Sequence, residues 1–262
     1  MVSAQMLEID FFHLTDVGCV REENEDAVGF WPYEDGFLFA VADGLGGHNA
    51  GQVASSLALE VLLREMSVPS GSLSLVNRLR QAVREANLAI YYKGTTVPEL
   101  HRMGTTLTAS ALVGGTLVTA HVGDCRLYLL RNGTFTQLTK DHTHVWEQVQ
   151  YGILSPKEAR THPNRHVLSR CLGHDLIPAI DILKMDVQAG DLLVQCSDGI
   201  YDSLPESEMV ELLNKDKPKA ACSAIIERAR EAGGHDNMSL QVASVISCSP
   251  PAVKRAWWRL GR

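Results

Sequence analysis

The feature that most limits the possible folds is a series of short strand-forming segments joined by tight turns. Residues 105–113, 116–122 and 125–131 each have the length and apolar composition of a β-strand. A Gly-Gly pair at 114–115 separates the first two segments, and an Asn-Gly pair at 132–133 follows the third. Both dipeptides favour the two-residue turns of antiparallel hairpins. This part of the chain therefore predicts successive antiparallel strands.

The remaining elements group into runs of strands and runs of helices. Asp35-Gly36 predicts a tight turn between two early strands, and apolar residues recur at helical spacing in four longer segments. The further predicted strands are 7–14, 27–32, 37–42, 180–187, 191–197 and 238–246, and the predicted helices are 50–66, 73–92, 206–214 and 218–232. Because strands and helices are grouped instead of alternating, we predict an α+β fold and not a parallel doubly wound sheet.

The charge and the cysteines exclude several classes of protein. The 262 residues carry a net charge of −7, which argues against nucleic acid as the main partner because phosphate backbones bind basic faces. Six cysteines without a C-x-x-C pair indicate neither a zinc ribbon nor a disulfide framework. With no signal-peptide pattern and no bilayer-length apolar run, we expect a cytoplasmic protein without a transmembrane segment. We expect one large domain over residues 1–248, followed by a basic, aromatic tail at 249–262.

A glycine-rich stretch follows the apolar run that leads to Asp43. It reads DGLGGHNAGQVAS, and a helical pattern begins within it. A P-loop would need lysine and then serine or threonine after the last glycine, where this chain has His48 and Asn49. The dinucleotide-binding pattern also fails, because Asn49 occupies the position of its third glycine. We therefore expect the strand to end at Asp43. A bend at this point would turn a carbonyl, such as that of Gly44, towards an ion that the Asp43 carboxylate binds.

Other acidic residues follow or open strands in the same way. Because strand ends in a layered fold meet at one edge, we expect their carboxylates to gather in one site. Gathered carboxylates repel each other unless positive charge lies among them, and an all-oxygen donor set suits Mg²⁺ or Mn²⁺. The acids are Glu25, Asp26, Asp43, Asp124, Asp198 and Asp236, and Arg21 lies four residues before the first of them. Each aspartate taken singly is more often a turn residue than a metal ligand, so the prediction depends on their joint occurrence.

Eight short motifs occur in an order that is typical of one enzyme family. They are REENED (21–26), DGLGGHNAGQVAS (43–55), GTT (104–106), HVGDCRLY (121–128), LTKDH (138–142), LSRCLG (168–173), CSDGIYD (196–202) and GGHDNMS (233–239). This ordered set resembles the metal-dependent serine/threonine protein phosphatases, the PPM or type 2C-like family, and its DGLGGH form resembles the bacterial branch. The resemblance runs from about residue 10 to about residue 245. It implies a four-layer α-β-β-α sandwich, in which two antiparallel β-sheets are flanked by helices.

The resemblance also implies which residues bind metal. Two Mn²⁺ or Mg²⁺ ions are expected in the core site, with a possible third. Asp43 would bridge the two core ions, and Asp124 would bind the third, weaker ion. Glu25, Asp26 and the Gly44 carbonyl would join Asp43 on one ion, directly or through water. The implied ligands are Glu25, Asp26, Asp43, Gly44, Asp124, Asp198 and Asp236.

By the same resemblance, the catalytic residues are Arg21, His48 and Asp43. Arg21 corresponds to the arginine that binds the phosphate, and His48 lies close to the position of the family's acid histidine. The implied reaction is the metal-dependent hydrolysis of phosphoserine and phosphothreonine on proteins, reversing a serine/threonine kinase. The partners are then phosphorylated proteins, and members of this family usually act as monomers. In the family, the segment that corresponds to about 142–176 is a mobile flap beside the active site.

Two other functions remain open at this point. One is a catalytically weak relative that binds phosphoproteins as a regulatory module, although none of the expected acids is missing here. The other is an enzyme of the same fold that hydrolyses small phosphoesters, because substrate choice depends on the flap and on surface grooves.

Four further features have a plainer interpretation. Cys222 and Arg228 have the C-x5-R spacing of thiol-dependent phosphatases, but the residues between them form a helical apolar pattern, so we expect Cys222 to pack in the core. His142 and His144 lack the rest of a zinc-hydrolase array, and we expect no ligand role for them. His162, Arg165, His166 and Arg170 of the flap could contact a phosphopeptide or form a solvated face. The tail could contact a membrane or a partner, but packing on the domain itself or simple disorder is the plainer interpretation.

Overall fold

The structure is a computed structural model, and it describes residues 7–46, 49–69, 71–213 and 217–248. The described strands are β1 (Glu8–Asp16), β2 (Asp26–Tyr33), β3 (Gly36–Leu45), β4 (Gly104–Thr105), β5 (Leu107–Val113), β6 (Thr116–Val122), β7 (Arg126–Arg131), β8 (Thr134–Gln137), β9 (Asp181–Asp186), β10 (Leu192–Cys196) and β11 (Met238–Ser247). The α-helices are α1 (Ala50–Ser67), α2 (Leu75–Thr96), α3 (His144–Gln150), α4 (Pro156–Arg160), α5 (Asp198–Tyr201), α6 (Glu206–Leu213) and α7 (Pro218–Glu231). A short 3₁₀-helix spans Pro98–Leu100. The predicted tail at 249–262 lies outside the described residues.

The strands form two antiparallel sheets. The first sheet has the order β1-β11-β10-β7-β8, and the second has the order β2-β3-β5-β6-β9, with β4 paired to β3. Every described strand pair is antiparallel. The α+β prediction is therefore confirmed.

Three apolar layers hold the two sheets and the helices together. The outer face of the second sheet packs on α1 and α2, and the outer face of the first sheet packs on α6 and α7. A third layer, which includes Phe39 and Leu193, lies between the two sheets. The period-2 alternation of a strand explains this arrangement, because Leu193 of β10 faces the other sheet while the adjacent Val194 faces the helices. The predicted four-layer α-β-β-α sandwich is confirmed.

The hairpin turns show how the sequence sets the register. The pairs at 114–115 and 132–133 both have positive φ angles and join strands in direct register, as predicted. The first hairpin differs by one residue from the prediction. Tyr33 pairs with Gly36, so the two turn residues are Glu34 and Asp35, and Glu34 takes the positive φ of 49°.

This hairpin also places two of the predicted metal ligands. Asp26 opens β2 and lies directly opposite Asp43 of β3, at the open end of the hairpin and away from its turn. The β6–β7 connection, the start of α5 and the start of β11 lie at the same end of the sandwich, where one cavity is lined by residues of all of them. No helix within the described ranges is long and apolar enough to cross a membrane.

Candidate functional site

A cavity of about 410 Å³ opens at the end of the sandwich where these strand ends meet. Its lining residues are Arg21, Glu25, Asp43, Gly44, Leu45, Gly46, Asp124, His166, Leu168, Asp198, Asp236 and Asn237. Seven of the nine predicted catalytic and metal-binding residues line this cavity. The eighth, Asp26, is buried directly behind Asp43. The ninth, His48, lies outside the described residues.

Asp26 and Asp43 form the innermost part of the site. Asp26 Oδ2 accepts a hydrogen bond from Ser197 Oγ at 2.7 Å, whereas the buried Asp26 Oδ1 has no hydrogen-bond partner among the described residues. Burial, together with the negative charges of Asp198 and Asp236, raises the pKa of Asp26 to about 7. Burial and the surrounding carboxylates, first of all Asp26, raise the pKa of Asp43 well above its usual range. These acids lie close enough to repel one another strongly.

Two further aspartates approach from the other sheet and its connections. Asp124 lies in the short turn at 123–125 between β6 and β7, and Asp198 is the first residue of α5. Burial and the charge of Asp198 raise the pKa of Asp124 well above its usual range. The carboxylates are therefore crowded on both sides of the cavity.

Arg21 and Asp236 lie at the mouth of the cavity. Arg21 Nη2 donates to Asp236 Oδ2 at 2.8 Å, and both side chains are partly exposed. The next residue, Asn237, joins three segments, because its Oδ1 accepts from the Glu25 backbone N–H and its Nδ2 donates to the carbonyls of Val17 and Glu23. The sequence analysis missed Asn237 as a structural residue of the site, although it directly follows Asp236 in the GGHDNMS motif.

The glycines near Asp43 serve close packing. The expectation that the strand ends at Asp43 is wrong, because β3 continues to Leu45 and its last two residues pair with β4. A Cβ atom at Gly44 would lie 2.2 Å from the carbonyl oxygen of Gly51 and 2.6 Å from that of Glu25. A Cβ atom at Gly51 would lie 2.4 Å from Glu25 Oε1. The missing side chains therefore let Glu25 and the start of α1 come close to Asp43.

We expect the substitution Gly44→Ala to lower the free energy of unfolding by about 3 kcal/mol, because the added methyl group would overlap two backbone carbonyls that cannot move independently. The measurement is urea unfolding at neutral pH. Gly190→Ala is the matched control, since Gly190 has a φ of 90° but no atom within 4 Å of the added Cβ, so only the backbone strain of about 1 kcal/mol applies. Equal losses in the two variants would contradict this account of Gly44.

The flap residues have different surroundings from one another. His166 lines the cavity, with its Nδ1 3.6 Å from Asp198 Oδ2 and its Nε2 3.3 Å from Asp202 Oδ2. The nearby Asp198 carboxylate raises the pKa of His166, and the charge of Asp202 adds to this shift. Arg170 instead pairs with Asp181 at 3.1 Å. His166 is thus the flap residue that the structure brings to the candidate site.

The motifs with a plainer interpretation are explained by their surroundings. Cys222 is buried in the core on α7, and burial raises the pKa of its thiol to about 12, which disfavours a nucleophilic thiolate. His142 is buried and its Nδ1 accepts from the backbone N–H of Gly123, whereas His144 lies 3.8 Å from Glu147 on an exposed face. In the described part of the chain, His142 and His144 belong to no group of three side chains arranged to hold a metal ion.

The donor atoms around the cavity fit hard divalent cations better than zinc. They are carboxylate oxygens and a backbone carbonyl, and the unpartnered Asp26 Oδ1 is an acceptor with no donor. Within the described ranges, no three His, Cys, Asp or Glu side chains are arranged to hold one ion. Mg²⁺ and similar ions retain several waters and often take only one or two carboxylates, so this acidic cavity is compatible with them.

Comparison with known proteins points to one family. A family model described as Protein phosphatase 2C matches residues 20–239. The serine/threonine protein phosphatase PstP of Mycobacterium tuberculosis is 40% identical over 234 residues, which cover 88% of this chain and 44% of PstP. The serine/threonine phosphatase stp of Listeria monocytogenes is 36% identical over 231 residues, which cover 86% of this chain and 92% of stp. The chain thus spans less than half the length of PstP.

A solved structure agrees with the sequence comparison. The catalytic domain of PstP, crystallised in complex with two manganese ions, superposes with a TM-score of 0.82 at 37% sequence identity. The match covers 92% of this chain and 100% of the PstP chain. The structural similarity therefore extends over most of both sheets.

Proposed function

This chain belongs to the protein phosphatase 2C family, and we propose that it catalyses the metal-dependent hydrolysis of phosphoserine and phosphothreonine in proteins. The observation that supports this most directly is the cavity, where Arg21 and the carboxylates of Asp43, Asp124, Asp198 and Asp236 come together from distant parts of the sequence. A phosphate monoester repels nucleophiles through its own negative charge. A site for its hydrolysis therefore needs concentrated positive charge, which crowded carboxylates recruit in the form of cations.

The proposed metal ligands are those that the family resemblance implies. Two ions, Mn²⁺ or Mg²⁺, would share Asp43, and a third would use Asp124. When bound, such cations supply a water of lowered pKa as the nucleophile and neutralise phosphate charge. The ligands proposed are Glu25, Asp26, Asp43, Gly44, Asp124, Asp198 and Asp236. The two manganese ions in the PstP structure support the choice of ion class for this chain.

Arg21 is proposed to bind the phosphate group. Its side chain is half-exposed at the cavity, and only one of its nitrogens donates to Asp236 among the described residues. A guanidinium group has five N–H donors, so Arg21 can grip two phosphate oxygens while it keeps its contact with Asp236. Asp236 then serves to aim Arg21. His48 is proposed, from the family resemblance alone, to protonate the leaving oxygen of serine or threonine.

The cellular setting follows from this reaction class. We infer that the substrates are phosphorylated proteins and that a serine/threonine kinase is the opposing enzyme. Action as a monomer and a cytoplasmic location remain predictions, as does the role of 142–176 as a flap. The division of the chain into a domain over 1–248 and a tail at 249–262 is likewise a prediction.

A phosphothreonine peptide tests the proposed function. We expect phosphate release from the full chain with Mn²⁺, no release with excess chelator, and a loss on the order of 10²-fold in Asp198→Asn, because that change removes a charge at the cavity. Asp35→Asn is the matched control, since Asp35 is exposed in the β2–β3 turn at the opposite end of the hairpin. Binding of the peptide without turnover would support a regulatory module instead. Turnover of an aryl phosphate alone would indicate a small-molecule hydrolase.

A further inference from the structure

Behind the cavity, a tyrosine joins two of the acidic segments. Tyr201 is the last residue of α5, which begins at Asp198, and its hydroxyl donates to the backbone carbonyl of Asp124 at 3.1 Å. That carbonyl has no other hydrogen-bond partner within the described ranges. One hydrogen bond thus ties the short helix that carries Asp198 to the turn that carries Asp124.

The ring of Tyr201 contacts a partly buried arginine, Arg126. The Cζ atom of Arg126 lies 3.5 Å from the centroid of the ring, a close cation–π contact. Arg126 is itself held by Asp141, which accepts from its Nε at 3.1 Å and from its Nη2 at 2.7 Å. Gln137 donates to the same carboxylate at 2.8 Å. The position of the Tyr201 hydroxyl is therefore set by a rigid network and not by the phenol alone.

The turn that carries Asp124 is constrained from its other side. Gly123 has a φ of 106°, and its backbone N–H donates to His142 Nδ1 at 3.1 Å. A Cβ atom at Gly123 would lie 2.4 Å from the Thr106 side chain, so the backbone fits tightly there. The backbone N–H of Gly123 is held in this way. The hydrogen bond from Tyr201 to the Asp124 carbonyl then fixes the orientation of the peptide unit between residues 124 and 125. The direction of the Asp124 side chain depends on that orientation.

We propose that Tyr201 is a positioning residue that sets the affinity of Asp124 for a divalent cation by holding the Asp124 turn against the Asp198 helix. The proposal rests on the proposed function, because it takes Asp124 as a ligand of the weaker, third ion. Tyr201 acts on the metal through the backbone of Asp124, and it needs no contact with substrate.

The test compares two tyrosines that contact the same arginine. Tyr128 is a buried phenol whose hydroxyl accepts from Arg126 Nη1 at 3.1 Å, but it contacts the core around α5–α7 and not the Asp124 turn. Tyr201→Phe and Tyr128→Phe therefore each remove one hydroxyl beside Arg126, and only the first frees the Asp124 carbonyl. The binding of Mn²⁺ to the chelator-treated full chain is measured by titration calorimetry, alongside thermal unfolding without metal.

We expect Tyr201→Phe to weaken the weakest Mn²⁺ binding event by about two- to tenfold, as fits the loss of one hydrogen bond, and to leave the tighter events unchanged. The Mn²⁺ concentration for half-maximal hydrolysis of an aryl phosphate should rise by the same factor, with kcat at saturating Mn²⁺ preserved. Tyr128→Phe should bind as the wild type does. Equal titrations of the two variants, or a wild type without a weaker event, would overturn the proposal while metal-dependent turnover persists. A wild type that binds no Mn²⁺ would overturn the proposed function as well.

Discussion

Replacing Asp43 by asparagine is expected to reduce phosphatase turnover about 1000-fold and, in the absence of metal, to make the protein more stable. The first effect follows because Asp43 faces the cavity and is the proposed bridge between both core ions, so that an amide removes charge from each of them. The second follows because Asp43 lies among Asp26, Asp124, Asp198 and Asp236, and its pKa is well above its usual range. An amide of the same shape relieves that repulsion.

The two effects of Asp43→Asn are measured on the same preparation. Turnover of the phosphothreonine peptide is compared with thermal unfolding in excess chelator and in excess Mn²⁺. We expect the variant to unfold at a higher temperature than the wild type in chelator. Its melting temperature should rise less than that of the wild type when Mn²⁺ is added. Asp35→Asn should match the wild type in every condition. Turnover above a few per cent of wild type would contradict the role of Asp43, and lower stability in chelator would contradict the repulsion argument.

The two effects have opposite signs because the residues that the reaction needs destabilise the metal-free fold. Native proteins rarely bury several carboxylates without a partner, since ionised groups are costly to remove from water. Here Ser197 and Arg21 are the direct partners of Asp26 and Asp236, and Asp26 Oδ1 has no partner in the described part of the chain. The carboxylates therefore lower the stability of the metal-free protein at the place where cations are expected to bind.

The fold could be predicted where local signals agree with the tertiary structure. The pairs at 114–115 and 132–133 require positive φ, and the structure uses them in that way. The turn at 132–133 indicated a hairpin, but the bounds of its second strand, β8, were not predicted, because Thr134–Gln137 is short and has no apolar run. The extension of β3 past Asp43 was missed because it depends on pairing with β4, some sixty residues away in the chain. Elements that are stabilised only by distant partners leave little trace in the local sequence.

In the site, too, residues with a local sequence signal could be predicted, and residues that depend on distant partners could not. The acids could be found because each follows or opens a strand and because the ordered motifs resemble one family. The residues that hold these acids in place could not be found in this way. Asn237 bonds to Glu25 and Tyr201 bonds to Asp124 across long separations in the chain, and both are ordinary residues in a local reading. The packing of Gly44 against the Gly51 carbonyl could not be predicted either, although the glycine-rich sequence indicated a close approach of backbone segments.

Removing divalent cations is expected to lower the stability of the chain, and more so as the pH rises. A cation at 1000 times its dissociation constant adds about 4 kcal/mol per site to the free energy of unfolding. In the metal-free protein, groups with a raised folded pKa lose stability as the pH rises towards that pKa. Burial raises the pKa of Asp26 to about 7, and burial together with the neighbouring carboxylates raises the pKa values of Asp43 and Asp124 well above their usual range. Each such carboxyl contributes a loss of about 1.4 kcal/mol per pH unit until its folded pKa is reached.

The interval from pH 6.5 to 8 isolates this effect. Burial lowers the pKa of His121 to about 3 and also lowers that of His142, so these histidines favour the folded state increasingly as the pH rises towards 6.5 and oppose the carboxyls there. Above pH 6.5 the histidines of the unfolded chain lose their remaining protons within about one pH unit, so this opposing slope falls towards zero. His166 has a raised pKa and adds to the loss with increasing pH.

We therefore expect the melting temperature in chelator to fall by about 5 °C or more between pH 6.5 and 8, and the gap to the Mn²⁺-loaded protein to widen over the same interval. Protons compete with cations for the same carboxylates, so a rise in pH strengthens the binding of Mn²⁺. The same rise therefore stabilises the Mn²⁺-loaded protein and destabilises the metal-free protein. Thermal unfolding at four pH values with chelator or Mn²⁺ measures both curves. Asp43→Asn should flatten the chelator curve, and Asp35→Asn should leave it unchanged. A metal-free melting temperature that rises from pH 6.5 to 8 would mean that the carboxylates do not repel one another as the geometry requires.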